Sequence, residues 1–212
     1  MAIKKRILIT AGPTWVSIDS ARVISNIASG ETGFILAKKL KKLGARITLL
    51  LGPGYFCGSQ KGIKVIRFKY FEELDKLLAN ELKKGGYAAV IQAAAVSDYR
   101  PEKKISRKAG SNRKSWKIKL VPTKKLIAGF KKYKPGLFTV GFKFEPVATD
   151  KKLINQGREL LGKEDLDLVV ANSCLATNYR AFILEKYNKY GPYAQKQKMV
   201  DGLSKLLGKK IL

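Results

Sequence analysis

Apolar runs of strand length alternate with apolar stripes at helical spacing along nearly the whole chain. Arg6–Thr10 reads as a first buried strand, ending at a Gly-Pro turn. Gly33, Leu36, Ala37, Leu40 and Leu43 then recur at a helix period and stop at Gly44. Arg46–Leu51 is a second strand, closed by Gly52-Pro53-Gly54, and Lys64–Phe68 is a third. Phe71, Leu74, Leu78 and Leu82 mark the next helix, which runs out at Gly85-Gly86. Ala88–Ala94 is almost continuously apolar, as a central parallel strand covered on both faces should be. Trp116–Leu120 alternates and predicts an exposed strand, after which Thr123 caps a helix carrying Leu126, Ile127, Phe130 and Tyr133. Phe138–Phe142 and Asp167–Ala171 are two more buried strands, with a helix over Lys152–Leu161 between them. Ala181–Glu185 predicts an edge strand, and Met199, Val200, Leu203, Leu206 and Leu207 turn a C-terminal helix toward the core. This order dictates an α/β fold: a doubly wound, Rossmann-like, mostly parallel sheet with helices on both faces. With no repeat or linker, residues 1–212 read as one domain.

Composition narrows the chemistry. The chain has no histidine, which removes the usual general base, the Ser–His and Cys–His nucleophile pairs and most zinc sites. The reaction must then run on lysines, carboxylates, amides, backbone donors or a carried metal ion. Cys57 and Cys174 have no metal-ligand spacing and read as ordinary thiols of a cytoplasmic protein. The basic start leads into a strand rather than a signal sequence, and Tyr87–Val96 is about half the length of a membrane span. The net charge of +27 is carried mostly by lysines on helix faces, such as Lys38, Lys39, Lys41 and Lys42. It reads chiefly as a solvated basic surface without sequence-specific nucleic-acid binding, the alternative being attraction for polyanions, small phosphorylated ligands included.

In a doubly wound sheet, ligands bind beyond the carboxyl ends of the strands. Five such ends carry polar residues here. Gly12, Pro13, Thr14, Asp19, Arg22, Asn26, Ser29 and Gly30 follow the first strand, a turn and helix approach suited to phosphate. It has neither G-x-G-x-x-G nor the P-loop spelling. Ala93-Ala94 end the central strand, and Ala95-Val96-Ser97-Asp98-Tyr99-Arg100-Pro101 follow it and lead to Lys103, Lys104, Arg107 and Lys108. Pro122-Thr123-Lys124-Lys125, Gly141-Phe142-Lys143 and Ala171-Asn172 complete the set. Each has a plain structural reading, as a cap, a turn or a solvated surface; their convergence on one edge favours a site.

In combination and order, these segments resemble the phosphopantothenate–cysteine ligase family, the synthetase half of the coenzyme A biosynthesis bifunctional proteins. The family's G-P-T-x-x-x-I-D, its arginine, I-S-N and S-G-x-x-G stand here as Gly12-Pro13-Thr14, Ile18-Asp19, Arg22, Ile24-Ser25-Asn26 and Ser29-Gly30…Gly33. A-A-V-x-D-[YFW] stands as Ala94-Ala95-Val96-Ser97-Asp98-Tyr99, and the K-I lysine motif as Lys104-Ile105-Ser106-Arg107. P-T-P-K stands as Pro122-Thr123-Lys124-Lys125, V-G-F-K as Val140-Gly141-Phe142-Lys143, and D-L-V-V-A-N as Asp167 to Asn172. Departures are Val16-Ser17 for the usual Glu-Pro, Glu31 where a basic residue is frequent, and Lys124 for proline. The family's paired lysines are matched only by Arg158 and Lys163, with one residue's change of spacing, and Lys108 competes with Lys104 for the motif position.

The resemblance implies a ligase working in two steps. The carboxylate of 4′-phosphopantothenate attacks the α-phosphorus of CTP or ATP, carried with Mg²⁺, and L-cysteine then displaces the nucleotide. It further implies that Gly12, Pro13 and Thr14 shape a loop over the phosphates, and that Ala93, Ala94 and Asp98 flank base and sugar. Phe142 walls the base and Lys104 sits on the triphosphate. Pro122, Thr123, Lys124, Lys125, Arg158 and Lys163 complete the nucleotide side. Asn26 holds the acyl-nucleotidylate, with Arg22, Ser29 and Gly30 on the substrate. No protein-bound metal site and no FMN are implied, and the working form is a homodimer. Two readings from other classes stay open: a non-catalytic nucleotide- or polyanion-binding Rossmann-like protein and, more weakly, a nicotinamide-dependent reductase, which lacks the glycine fingerprint and the acidic residue after the second strand.

Overall fold

The computed structural model describes residues 4–54, 60–112, 114–175 and 178–212. Among these described residues twelve strands and four α-helices follow in order: β1 (Arg6–Ala11), β2 (Trp15–Ser17), β3 (Val23–Ser25), α1 (Glu31–Lys42), β4 (Arg46–Leu51), β5 (Lys64–Arg67), α2 (Phe71–Lys84), β6 (Tyr87–Gln92), β7 (Tyr99–Pro101), β8 (Leu120–Pro122), β9 (Phe138–Phe144), α3 (Asp150–Lys163), β10 (Leu168–Leu175), β11 (Asn178–Leu184), β12 (Lys189–Tyr193) and α4 (Lys196–Ile211). Eight strands form the main sheet in the order β12-β11-β10-β9-β6-β1-β4-β5. It is parallel from β5 to β10, with β11 and β12 added antiparallel. This is the mostly parallel α/β architecture that the hydrophobic pattern predicts.

Alternation along β1 shows how the two layers are specified. Ile7 and Ile9 face α1 and α4, whose Phe34, Leu36, Leu40, Met199, Val200 and Leu203 fill one side. Leu8 faces the other side with Leu50 and Val90, under Leu74, Leu78 and Leu82 of α2. On the α2 side of the sheet, α3 lays Leu153 on Ala171, Phe182 and Leu184. Gly33 lets α1 settle on β1: a Cβ there would stand 2.6 Å from the Ala11 Cβ and 3.2 Å from the Thr10 carbonyl. Gly33→Ala should therefore cost about 1–3 kcal/mol of overpacking. A thermal melt that does not move would refute this account.

Four expectations are corrected. Thr123 starts no α-helix; the chain makes turns and a single 3₁₀ turn at Phe130–Lys132, whose N-cap Gly129 has φ +80°. Leu126 and Phe130 are buried against the α2 layer, so the spacing reported burial without a helix. Trp116–Lys119 is not a strand, and only Leu120–Pro122 pairs, with β7. Ala181–Leu184 of the expected edge strand belongs to β11, which lies inside the edge formed by β12, and Glu185 follows it. Leu43 follows α1 and is half exposed. Cys57 lies outside the described residues.

Candidate active site

The loops after β1 and β4 and the approach to α1 meet backbone to backbone at the carboxyl edge of the sheet. Gly12 and Gly30 adopt left-handed φ values of +82° and +80°. A Cβ on Gly12 would meet the Pro53 carbonyl at 3.1 Å, and one on Gly30 the Gly12 nitrogen at 3.2 Å. Gly52 and Gly54 likewise abut the carbonyls of Pro13 and Ser29. The glycines thus bring the turn against the N-terminus of α1, where amide donors and the helix dipole favour an anion. Glu31, in the first turn of α1, would oppose that anion, but its carboxylate pairs with Lys196 of α4 at 2.5 Å.

A hydroxyl network fixes the next loop. Thr14 is fully buried: its Oγ1 accepts from the Ser97 amide at 2.9 Å and donates to Ser97 Oγ at 3.1 Å. Ser97 Oγ in turn donates to the Thr14 carbonyl. Thr123 Oγ1 donates to the Ser97 carbonyl at 2.6 Å, and its amide donates to the Asp98 carbonyl. Thr14 therefore shapes the loop from inside. Ala93 and Ala94 are held by their amides on the Thr10 carbonyl and Oγ1. Asn26 is exposed and caps no helix; its Nδ2 donates to the carbonyls of Ala95 and Val96, at 3.2 and 3.1 Å. With both Nδ2 hydrogens so engaged, the acceptor Oδ1 is the atom left to meet a ligand.

The hairpin β2–β3 carries the third component. At its turn the carboxylate of Asp19, without solvent exposure, accepts the amides of Ala21 and Arg22 at 2.8 Å, Arg22 Nη1 at 2.5 Å and the Ala109 amide at 3.0 Å. Burial pushes this carboxyl upward, but the three backbone donors and Arg22 outweigh it and hold it far below the usual carboxylate range. Arg22 also donates to the Ala109 carbonyl, and its guanidinium lies 5.3 Å from the Trp116 ring centre. The Ile105 amide donates to the Ile18 carbonyl. Beside this junction opens a cleft of about 360 Å³, lined among others by Ser17, Asp19, Tyr70, Arg100, Lys104 and Ser106. Lys104 borders it and Lys108 does not. Three residues of strand separate the hairpin turn from Asn26, a reach of roughly 10 Å.

Lys124 pairs with Asp75 of α2 at 2.8 Å, and Lys125 with Asp98 at 2.5 Å. Such exposed pairs contribute about 0–1 kcal/mol, little enough for either lysine to move to a phosphate. Pro122 closes β8 opposite Tyr99. Phe142 lies near the carboxyl end of β9, packed against the α1 and α4 layer. Ser29 is exposed beside the α1 approach, its Oγ accepting the Glu31 amide at 3.3 Å. Lys163 ends α3, which descends from the carboxyl edge, so it lies about 20 Å from the start of that helix. Arg158 is exposed about 12 Å along α3. The geometry does not bring these two into the cleft. Sequence reasoning missed Lys196 and the clasp on Ala109, and it placed Ser97 in a motif without its bond to Thr14; the contacts of Ser97 and Ala109 span 83 and 90 residues, which no local pattern encodes.

Among the described residues no group of three Asp, Glu or Cys side chains is placed to hold a metal ion, and no helix is long and apolar enough to cross a membrane. The family described as DNA/pantothenate metabolism flavoprotein C-terminal domain matches residues 2–205. The coenzyme A biosynthesis bifunctional protein CoaBC of Thermococcus kodakarensis is 36% identical over 175 residues, covering 81% of this chain and 42% of the relative. The chain thus spans less than half of that relative's length. A DNA/pantothenate metabolism flavoprotein from Streptococcus pneumoniae shares the fold, with a TM-score of 0.86 at 23% identity over 97% of this chain and 99% of that one. So does Cab2 carrying an H337A mutation, solved in complex with phosphopantothenate-cysteine, with a TM-score of 0.77 at 17% identity, covering 97% and 87%.

Proposed function

The chain belongs to the DNA/pantothenate metabolism flavoprotein C-terminal domain family, and from that premise we propose that it joins 4′-phosphopantothenate to L-cysteine through an acyl-nucleotidylate. The observation that carries the reading is the convergence of the motif segments: Asn26 bound to Ala95 and Val96, and Thr14 and Thr123 each bound to Ser97. The phosphopantothenate-cysteine held by Cab2, a protein of the same fold, supports the substrate class. In the first step the substrate carboxylate attacks the α-phosphorus of CTP or ATP and pyrophosphate leaves. Lys104 and the amides at the start of α1 would take up the charge of the triphosphate, and any Mg²⁺ would enter on the nucleotide. In the second step the cysteine amine displaces the nucleoside monophosphate, its attack on the acyl carbon steered by Asn26. No flavin is needed for either step, and the reading places the enzyme in the cytoplasm with its nucleotide supply.

Pyrophosphate release from phosphopantothenate with CTP or ATP, followed by cysteine-dependent amide formation, tests the proposal. No release with either nucleotide would sink it. We extend the reading to a homodimer, which exposed apolar side chains on the two hairpins support: Val23 and Ile27 flank Ser25, and Tyr99 and Leu120 lie on the neighbouring β7–β8 pair. Ile27 is fully exposed. Ile27→Asp should shift the mass measured by light scattering to that of a monomer; an unchanged oligomer would exclude this face.

The charge of +27 favours, as a second reading, a protein that binds polyanions. If the charge is a surface property only, single-stranded DNA should bind weakly, without sequence preference, and be released by about 0.2 M salt. Binding that persists there would favour the second reading.

A further inference from the structure

The segment from Glu102 to Gly110 contains no helix or strand, yet it carries the lysine that borders the cleft. Three hydrogen bonds fasten it to the β2–β3 hairpin. Ile105 N–H meets the Ile18 carbonyl, Ala109 N–H meets Asp19 Oδ2, and the Ala109 carbonyl accepts from Arg22 Nη1. Asp19 governs two of the three, because the same oxygen also holds Arg22 Nη1. Its other oxygen takes the Ala21 and Arg22 amides and so sets the hairpin turn. Four N–H donors thus converge on one side chain, and only a carboxylate, an acceptor at both oxygens, satisfies all four.

We propose that Asp19 is a positioning residue for nucleotide activation: by clasping Ala109 and Arg22 to the hairpin turn it holds the loop so that Lys104 stands over the cleft. The inference rests on the ligase reading above. Its carboxylate is buried and fully engaged by these donors, so Asp19 acts through the loop. An amide in its place would offer one oxygen and turn its NH₂ toward N–H donors, so Asp19→Asn should release Ala109 while keeping the volume of the side chain. Lys104 would then be misplaced by an ångström or more, enough to cost roughly 10²-fold in the step that it assists.

A double-mutant cycle tests this on the full chain. Pyrophosphate release is measured for wild type, Asp19→Asn, Lys104→Gln and the pair, well below each melting temperature. Asp19→Asn should lower kcat for activation by roughly 10²-fold. The double variant should be no slower than Lys104→Gln alone, since a residue that acts only through Lys104 has nothing left to position. Trypsin should also cut faster at Lys103, Lys104, Arg107 or Lys108 in Asp19→Asn. If that variant does not fold, Ala109→Pro removes the one amide that meets Asp19 from the loop side and should give the same loss, again absent when Lys104 is already Gln. Losses that multiply, or a loss that rescue of folding abolishes, would overturn the positioning role. A wild type that releases no pyrophosphate would overturn the ligase reading beneath it.

Discussion

Lys104→Gln should slow pyrophosphate release by roughly 10²–10³-fold, the loss typical of removing one charge partner from a transition state. Charge spreads over the transferred phosphoryl group and the departing pyrophosphate as the α-phosphorus is attacked, and a fixed ammonium stabilises that state more than the bound nucleotide. Lys104 borders the 360 Å³ cleft together with Arg100, whereas Lys108 lies away from its lining and adjoins the clasped Ala109. Lys108→Gln should therefore change the rate little. Gln keeps the length and polarity of the side chain, so the contrast isolates charge from packing. Equal losses at the two positions would place the motif lysine wrongly, and a larger loss at Lys108 would reverse the assignment.

Asn26→Asp should abolish most amide formation, by roughly 10²–10³-fold, while a first turnover still releases pyrophosphate. A carboxylate at this position would face the carbonyls of Ala95 and Val96, now 3.2 and 3.1 Å from Nδ2, with no hydrogen to offer either. It would swing away and carry its acceptor oxygen off the line of the acyl group. Helix capping does not explain the residue, since α1 begins at Glu31 with Gly30 as its N-cap. The remaining structural account is that Asn26 only ties two loops together. Asn26→Ala separates the accounts: it cuts the tie without adding charge. If tying alone matters, both variants should slow both steps alike. If Asn26 steers the intermediate, both should stall at the second step, and mass spectrometry should find the trapped acyl-nucleotidylate. Full turnover by Asn26→Asp would end the assignment.

The strands and helices that build the main sheet were legible because each buries a long, regular face. β1, β4 and β6 are nearly wholly buried, and the stripes of α1, α2 and α4, apart from the half-exposed Leu43, match residues found in or against the core. What escaped was short or held by distant partners. The hairpin strands β2 and β3 are three residues each, too brief for a period to show. β12 reads K-Y-G-P-Y, whose glycine and proline argue against a strand. The stripe reports real burial at Leu126, Ile127 and Phe130 but not at Tyr133, which is exposed, and it makes no helix because Gly129 turns left-handed in its middle. At the site, the spelling located Asp19, Asn26 and Lys104 but not their relations. That Asn26 spends its donors on two carbonyls, or that Asp19 reaches Ala109, is settled by the fold alone.

The makeup of β12 bears on how the protein behaves in a crowded solution. The last strand of an open sheet offers unpaired amides to any other chain, and a long apolar edge recruits its own kind into ribbons. β12 spans five residues and spends one of them on Pro192, which has no amide to offer. The opposite border, β5, spans four residues and exposes Lys64 and Arg67 at its ends. Stacking copies through β5 would bring like charges together at the seam. The strand that the pattern failed to announce is thus a terminator, which lets the hydrophobic sheet end without inviting another to continue it.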